Sequence, residues 1–363
     1  MTVPPAPAAA APEIVTLPDS GNGVAQPRRR GLRILLFAVG LGVLGTLAAL
    51  VGWGPIAANL ARIGVYFFVL VAICGAAQIA FTLGWWCIVG RPHPMTYAQL
   101  LGTYLAGDSV NYFTSVGGEP VKAHLLGPRM GFGPAFATIW VHRNADVLSQ
   151  WMFLFVGAIV TMTHFALPGF VRWLVIAGLL VMGALVAGFT GLQRRGFFGA
   201  LFRVLTKVPI LKKKLQHLEE DAHAVDEKIR LYYHREEHKT QFWWAVLWGF
   251  IGWCGGLFET WIVLRLLSPT HGFASAYAVE ALAMILNSIL LFIPAKIGSA
   301  EGIRVAVAAV VGLTPAQGAA YALVRRAREI VWLIPGFVVL LKHHLIDVAH
   351  LRLQALPEEE RTP

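Results

Sequence analysis

The sequence predicts an all-α fold: a polytopic integral membrane helix bundle with an inverted repeat and two re-entrant helical hairpins. Three observations lead there. The 363 residues are 56% hydrophobic and only 14% charged, whereas soluble domains carry about 25% charge. Several stretches are long and apolar enough to cross a bilayer, which takes about 20 residues. A polar cluster then occurs twice inside this hydrophobic sequence. The first copy is Asn111, Gly117, Gly118, Glu119, Lys122, Pro134, Arg143 and Asp146; the second is Asn287, Gly298, Ser299, Glu301, Arg304, Pro315, Arg326 and Glu329. In each, a small-residue break precedes a Glu, a cation follows that Glu by three positions, and an Arg-x-x-acid unit comes later. Matching Gly/Pro-broken hydrophobic segments in two halves of a chain point to a site between transporter repeats.

Taken in order, residues 1–27 are rich in Ala and Pro with no apolar run and are expected to be disordered. Arg28, Arg29, Arg30 and Arg33 precede an apolar stretch from Ile34 to Trp53. That stretch is too long for a cleaved signal, so a retained first helix is expected over 32–52. The membrane domain is placed at 28–345. Full spans are expected at 64–90, 134–163, 171–190, 241–267 and 315–342. Residues 96–131 carry Gln99, Thr103, Asp108, Asn111 and Glu119, and residues 274–311 carry Glu280, Asn287, Pro294, Lys296 and Glu301. Neither is a clean span, and each is expected to enter and leave on one side.

Charge decides the orientation, because cytoplasmic loops concentrate Lys and Arg. With an N-terminus in the cytoplasm and both hairpins re-entrant, the cytoplasmic side holds most of the basic residues. The outer side holds only Arg62, Arg172, Lys296 and Arg304. If the hairpins cross fully, the basic 191–240 loop moves outside. The first arrangement wins, and it places both termini in the cytoplasm with residues 346–363 as a tail. It also inverts repeat two (241–342) relative to repeat one (64–163), through the single span 171–190. The net charge of +10 is thereby explained without nucleic acid.

The loop 191–240 reads as cytoplasmic and amphipathic. Leu211, Leu215, Leu218, Ala222, Val225, Ile229 and Tyr232 recur at helical spacing. Lys212, Lys213 and Lys214 are expected to meet anionic lipid headgroups; the plainer reading is a positively charged topology anchor. Trp53, Trp85, Trp86, Trp173, Trp243 and Trp244 lie near span ends and suit an aromatic belt. Gly252-x-x-x-Gly256 suits close helix packing. Cys74, Cys87 and Cys254 lie in hydrophobic spans with no CxxC spacing and read as reduced packing residues.

Charges inside the membrane set the functional question. Each costs roughly 2.5–3.5 kcal/mol at a helix centre, so Glu119, Arg143, Asp146, Glu259, Glu301, Arg326 and Glu329 must pair, face water or neutralise. Helical spacing offers the pairs Glu119–Lys122, Arg143–Asp146, Glu301–Arg304, Arg326–Glu329 and Arg325–Glu329. The Gly117-Gly118 and Gly298-Ser299 breaks are expected to free amides at helix starts, where anions bind. Such pairs either pin the two repeats together or form one central polar chamber for a lipid headgroup, since Arg takes phosphate bidentately. The candidate set is Asn111, Gly117, Gly118, Glu119, Lys122, Arg143, Asp146, Asn287, Gly298, Glu301, Arg304, Arg325, Arg326 and Glu329. No metal and no cofactor is expected, because the acids are each shadowed by a cation and no phosphate-binding or zinc motif is present.

At these residues the chain resembles a known family. Asn111 through Gly117-Gly118-Glu119-Pro120, Lys122 and Leu126 is similar to the signature of the lysylphosphatidylglycerol synthase transmembrane region, also called the flippase-like domain family. Pro294 through Gly298, Glu301 and Gly302 resembles its later motif, with Ala295-Lys296-Ile297 where a small Gly-containing stretch is usual. Arg325-Arg326-Ala327-Arg328-Glu329 through Pro335-Gly336 resembles the ending found in the hopanoid-biosynthesis-associated branch. The resemblance implies an inner-membrane protein that moves or presents a phospholipid, a hopanoid or a polyprenyl-linked lipid. Gly118, Glu119, Arg143, Asp146, Gly298, Glu301, Arg326 and Glu329 are the family-type positions. The chain ends soon after the last expected span with no soluble aminoacyl-transferase domain, so synthase activity is not expected. Two other classes compete: a membrane-embedded headgroup transferase with Glu119 or Glu301 as base, and a scaffold for a lipid-modifying partner enzyme. If the mirror-oriented topology is correct, cysteines introduced near 125 and near 297 react with an impermeant thiol reagent from opposite faces of intact vesicles. Reaction from the same face would refute it.

Overall fold

The computed structural model describes residues 53–114, 117–196, 225–227, 229–230, 236–289 and 298–355. The expected span 32–52, most of the 191–240 loop, Ser115-Val116 and Ala295-Lys296-Ile297 lie outside the described residues. The described chain is helical, with no strand among the described residues. It is an all-α polytopic membrane bundle. In order the helices are α1 (Trp53–Ile63), α2 (Tyr66–Val89), α3 (Tyr97–Thr114), α4 (Gly118–Met130), α5 (Phe132–His164), α6 (Gly169–Arg195), α7 (Glu236–Leu267), α8 (Phe273–Ile289), α9 (Ser299–Val310) and α10 (Pro315–Ala355).

Four of these, α2, α5, α6 and α7, are long and apolar enough to cross a membrane. Helix α10 has the length, 41 residues, but carries Arg325, Arg326, Arg328 and Glu329 within five positions. The expected spans at 64–90, 134–163, 171–190, 241–267 and 315–342 coincide with α2, α5, α6, α7 and the first part of α10. The segments 96–131 and 274–311 each contain two short helices. Helix α3 has 18 residues and is about 27 Å long at 1.5 Å per residue. Helix α4 has 13 residues and is about 20 Å long, too short to cross a core of about 30 Å. One helix was not anticipated: α1 buries Ile56 and Ile63 and packs on α7 and α10. Its length of 11 residues gives too short a periodic window to stand out beside Gly52 and Gly54.

The packing runs in matched pairs. Helix α2 lies on α7. Helix α3 packs on α10, and α8 on α5. Helix α4 packs on α5, and α9 on α10. Small residues permit the close contacts. Gly84 faces the Ala245 carbonyl, Gly255 faces Ala77, and Gly252 faces the Phe81 ring across the α2–α7 interface. Gly252 thus packs as its spacing suggests. Outward faces stay apolar: Phe170, Trp173, Leu180, Val181 and Leu185 of α6 are exposed, the surface a lipid-facing helix presents.

Helix α10 meets α3 at Gly336, next to Pro335. A Cβ at Gly336 would run into the Leu105 carbonyl and the Ser109 hydroxyl, and Ser109 donates a hydrogen bond to the Leu333 carbonyl at 3.2 Å. Overpacking of this kind costs roughly 1–3 kcal/mol. Gly336→Ala is therefore expected to lower thermal stability in detergent. Gly169→Ala, where an added Cβ meets nothing within 4 Å, is expected to stay within about 0.5 kcal/mol of the parent. Equal unfolding curves for the two variants would refute the close approach.

Candidate functional site

The polar residues fall into two neighbouring groups rather than one chamber, with α3 between them. Tyr104, Asp108 and Asn111 are spaced i, i+4 and i+7, so they share one face of α3. With Glu119 and Lys122 of α4, Trp85 of α2, and Ile139, His142, Arg143 and Asp146 of α5, they line a polar cavity of about 30 Å³. That is room for about two waters. Asn111 organises the break between the short helices. Its Oδ1 accepts the Gly118 N–H at 2.7 Å, and its amide nitrogen donates to Glu119 Oε1 at 3.1 Å. Gly117 donates its N–H to the Thr114 hydroxyl at 2.9 Å. The Gly117 and Gly118 amides, expected to be free for an anion, are therefore already capped. Helices α3 and α4 touch here, since a Cβ at Gly118 would strike the Gly107 carbonyl.

The ions around the cavity are paired locally. Lys122 Nζ lies 4.0 Å from Glu119 Oε1 and 4.8 Å from the centroid of the Tyr104 ring. Arg143 bridges Asp146 at 3.1 Å; 53% of its side chain is exposed against 12% for Asp146, which puts the guanidinium at the open side. His142 sets its Nε2 3.0 Å from the Phe81 carbonyl, so that nitrogen carries the proton. Its ring stacks on Trp85, and Trp85 donates to Thr138 at 3.3 Å. Trp85 is 1% exposed and belongs to this site, not to an aromatic belt. Trp53, Trp173, Trp243 and Trp244 remain exposed as a belt requires.

The second group is built on α10. Glu301 of α9 is 1% exposed. Its Oε2 accepts the Gly298 N–H at 2.7 Å, and its Oε1 takes Arg326 in a very short contact. Gly298 has φ +77°, a conformation open to glycine. Arg304 pairs with Glu329 at 2.7 Å, and Arg326 also reaches Glu329 at 3.4 Å. The expected Glu301–Arg304 pair is replaced by this exchange between α9 and α10, because α10 lies alongside and offers each ion a partner on a second helix. Arg326 further donates to the Tyr112 hydroxyl. Adjacent residues of α3, Asn111 and Tyr112, thus serve the two groups separately.

Arg325 does not pair with Glu329. It turns to Glu280 at 2.7 Å and Glu259 at 3.2 Å, and Arg328 reaches Glu259 at 3.0 Å and the Cys74 thiol at 2.7 Å. Thr260 and Tyr321 complete this buried knot with hydrogen bonds to Glu280 Oε2 at 2.7 and 3.3 Å. Asn287 lies in α8 with its amide donating to the Ala283 carbonyl at 2.8 Å. Sequence reasoning passed over Asp108, Tyr104 and His142 as site residues. The i, i+4, i+7 face of α3 was the signal that would have found the first two.

The chain belongs to the family described as lysylphosphatidylglycerol synthase TM region, which matches residues 33–336. That makes it a membrane protein tied to lipid handling. No curated protein and no solved structure matches it.

Breaking a buried ion pair costs roughly 3–5 kcal/mol when one charge is left behind. Glu301→Gln and Arg326→Gln are each expected to be strongly destabilising, and the double substitution less so than their sum. A coupling energy on the order of 1–3 kcal/mol from a double-mutant cycle is the expected result. Strict additivity would show that the pair is not formed.

Proposed function

We propose that the protein binds a membrane lipid by its headgroup and carries it across the inner membrane. The observation that carries this reading is the polar cavity between α3, α4 and α5, where Lys122 and Arg143 face a space closed on one side by α4, a helix too short to cross the bilayer. At about 30 Å³ the space holds water and no headgroup, so loading requires α4 to move away from α5. Once open, Lys122 and Arg143 offer two cations to a phosphate, with Arg able to bind bidentately. The bulky apolar part of a phospholipid, hopanoid or polyprenyl-linked lipid stays outside, against the apolar faces of the helices.

The helix order supports two structural repeats. Lengths run long, short, short, long in α2–α5 and again in α7–α10. The exchanged contacts, α3 on α10 and α8 on α5, suit an inverted pair, since each hairpin then leans on the closing helix of the other repeat. On this reading α3–α4 and α8–α9 are re-entrant from opposite faces, both termini are cytoplasmic, and alternating access is a rocking of one repeat against the other. The loop 191–240 would rest on anionic headgroups, and a lipid-modifying enzyme could deliver the cargo. A transferase reading is less favoured, because both oxygens of Glu301 are engaged by Gly298 and Arg326 and leave no free base there.

The test is transbilayer movement of a headgroup-labelled phospholipid in proteoliposomes, read as the fraction protected from an impermeant quencher. Arg143→Gln, at a side chain 53% exposed, is expected to slow movement roughly tenfold or more, equivalent to ~1.4 kcal/mol or more at the barrier, while the folded yield stays near the parent's. Movement no faster than in protein-free vesicles for the unaltered protein would refute the proposal.

A further inference from the structure

The two ion groups differ in charge balance. Around α10, Arg304, Arg325, Arg326 and Arg328 face Glu259, Glu280, Glu301 and Glu329, and every acid there bridges an arginine. The α3–α4–α5 cavity is different. Its lining holds three carboxylates, Asp108, Glu119 and Asp146, and two cations, Lys122 and Arg143. Both cations are already committed: Arg143 to Asp146 at 3.1 Å, and Lys122 to Glu119 at 4.0 Å. The Lys122 side chain is only 9% exposed, so it does not swing out to serve another acid.

Asp108 is the carboxylate left over. It has no ion-pair partner among the described residues. Helix α2 presents only the neutral Gln78 amide to it; helix α4 brings Glu119 and Lys122, and helix α5 brings Arg143. Asp146, also on α5, sits on the same cavity wall, as does Tyr104 on its own helix. Helix α10, also packed on α3, brings Arg326, which is taken by Glu301, Glu329 and Tyr112. An uncompensated charge beside a two-water cavity inside a membrane bundle is expensive.

We infer that Asp108 is a proton-binding site, carrying one proton while the cavity is closed and exchanging it with water when the cavity opens. In the step, a carboxylate oxygen lone pair takes H⁺ from a hydronium ion supplied by bulk water through the opened cavity, becoming O–H and leaving H₂O; nothing is oxidised or reduced. His142 is the other candidate to hold the balancing proton. A charged imidazole there would sit as a third cation beside Lys122 and Arg143, so the carboxylate is favoured. The inference rests on the transport reading for its consequence: protonation takes the cavity from one net negative charge to neutral, which favours a phosphate-bearing headgroup. By linkage, headgroup binding then favours proton uptake.

Two measurements on the full-length protein in lipid bilayers test this. In infrared difference spectra at neutral pH, the parent is expected to show the C=O stretch of a protonated carboxyl, absent in Asp108→Asn. No such band in the parent, or its survival in Asp108→Asn, overturns the site. In proteoliposomes, an imposed pH gradient is expected to speed phospholipid movement by the parent and to have no effect on Asp108→Asn. If the band behaves as expected but no lipid moves, the proton site stands and the transport reading fails. If lipid moves with the same rate with and without a gradient, and the parent shows no band, transport stands and the proton site is wrong.

Discussion

The pairing of buried charge along α10 is the constraint on which the rest depends. Four ionised residues within five positions cannot remain in a membrane bundle unless each finds an opposite charge. Arg325 draws Glu280 from α8 and Glu259 from α7, Arg326 draws Glu301 from α9, Arg328 shares Glu259, and Glu329 holds Arg304. One helix thereby fastens α7, α8 and α9, and through Tyr112 it fastens α3 as well. Such a bundle is specified by electrostatics as much as by packing. Its apolar faces are interchangeable with lipid, whereas its ion pairs are not interchangeable with one another.

This explains how much could be read from the residues alone. The long spans were legible because hydropathy and the length of a crossing helix are local properties; α2, α5, α6 and α7 fall where the apolar runs lie. The short helices were legible from Gly/Pro breaks. Pairings within one helix were legible where no competitor came near: Arg143–Asp146 forms as its i,i+3 spacing suggests. Pairings across helices were not. Glu301 and Arg304 have the right spacing for each other, yet α10 offers Arg326 and Glu329 alongside, and no spacing within α9 reports what lies across from it. Asp108 was visible as an intramembrane acid, but its importance comes from both nearby cations being paired with other acids, which only the assembled helices reveal.

The same helix order is used twice with different chemistry. Where α9 lies against α10, every acid of the group bridges an arginine. Where α4 lies against α5, two cations are shared among three acids and a small cavity remains. In the second arrangement stiffness is traded for room. The knot around Arg325 is a fixture, whereas the cavity near Lys122 has neither the full complement of bridges nor the packing to be one.

One covalent detail limits how that cavity can open. Helices α4 and α5 are joined through Gly131 alone, at φ +82°, with the Gly131 N–H on the Gly127 carbonyl at 2.8 Å and its own carbonyl taking Ala135 at 3.1 Å. So short a link forbids sliding, and α4 behaves as a lever hinged at one end. Glu119 stands near the far end, about 18 Å away at 1.5 Å per residue. A tilt of about 10° therefore sweeps it through about 3 Å, the width of a water molecule, while the residues next to the pivot scarcely shift.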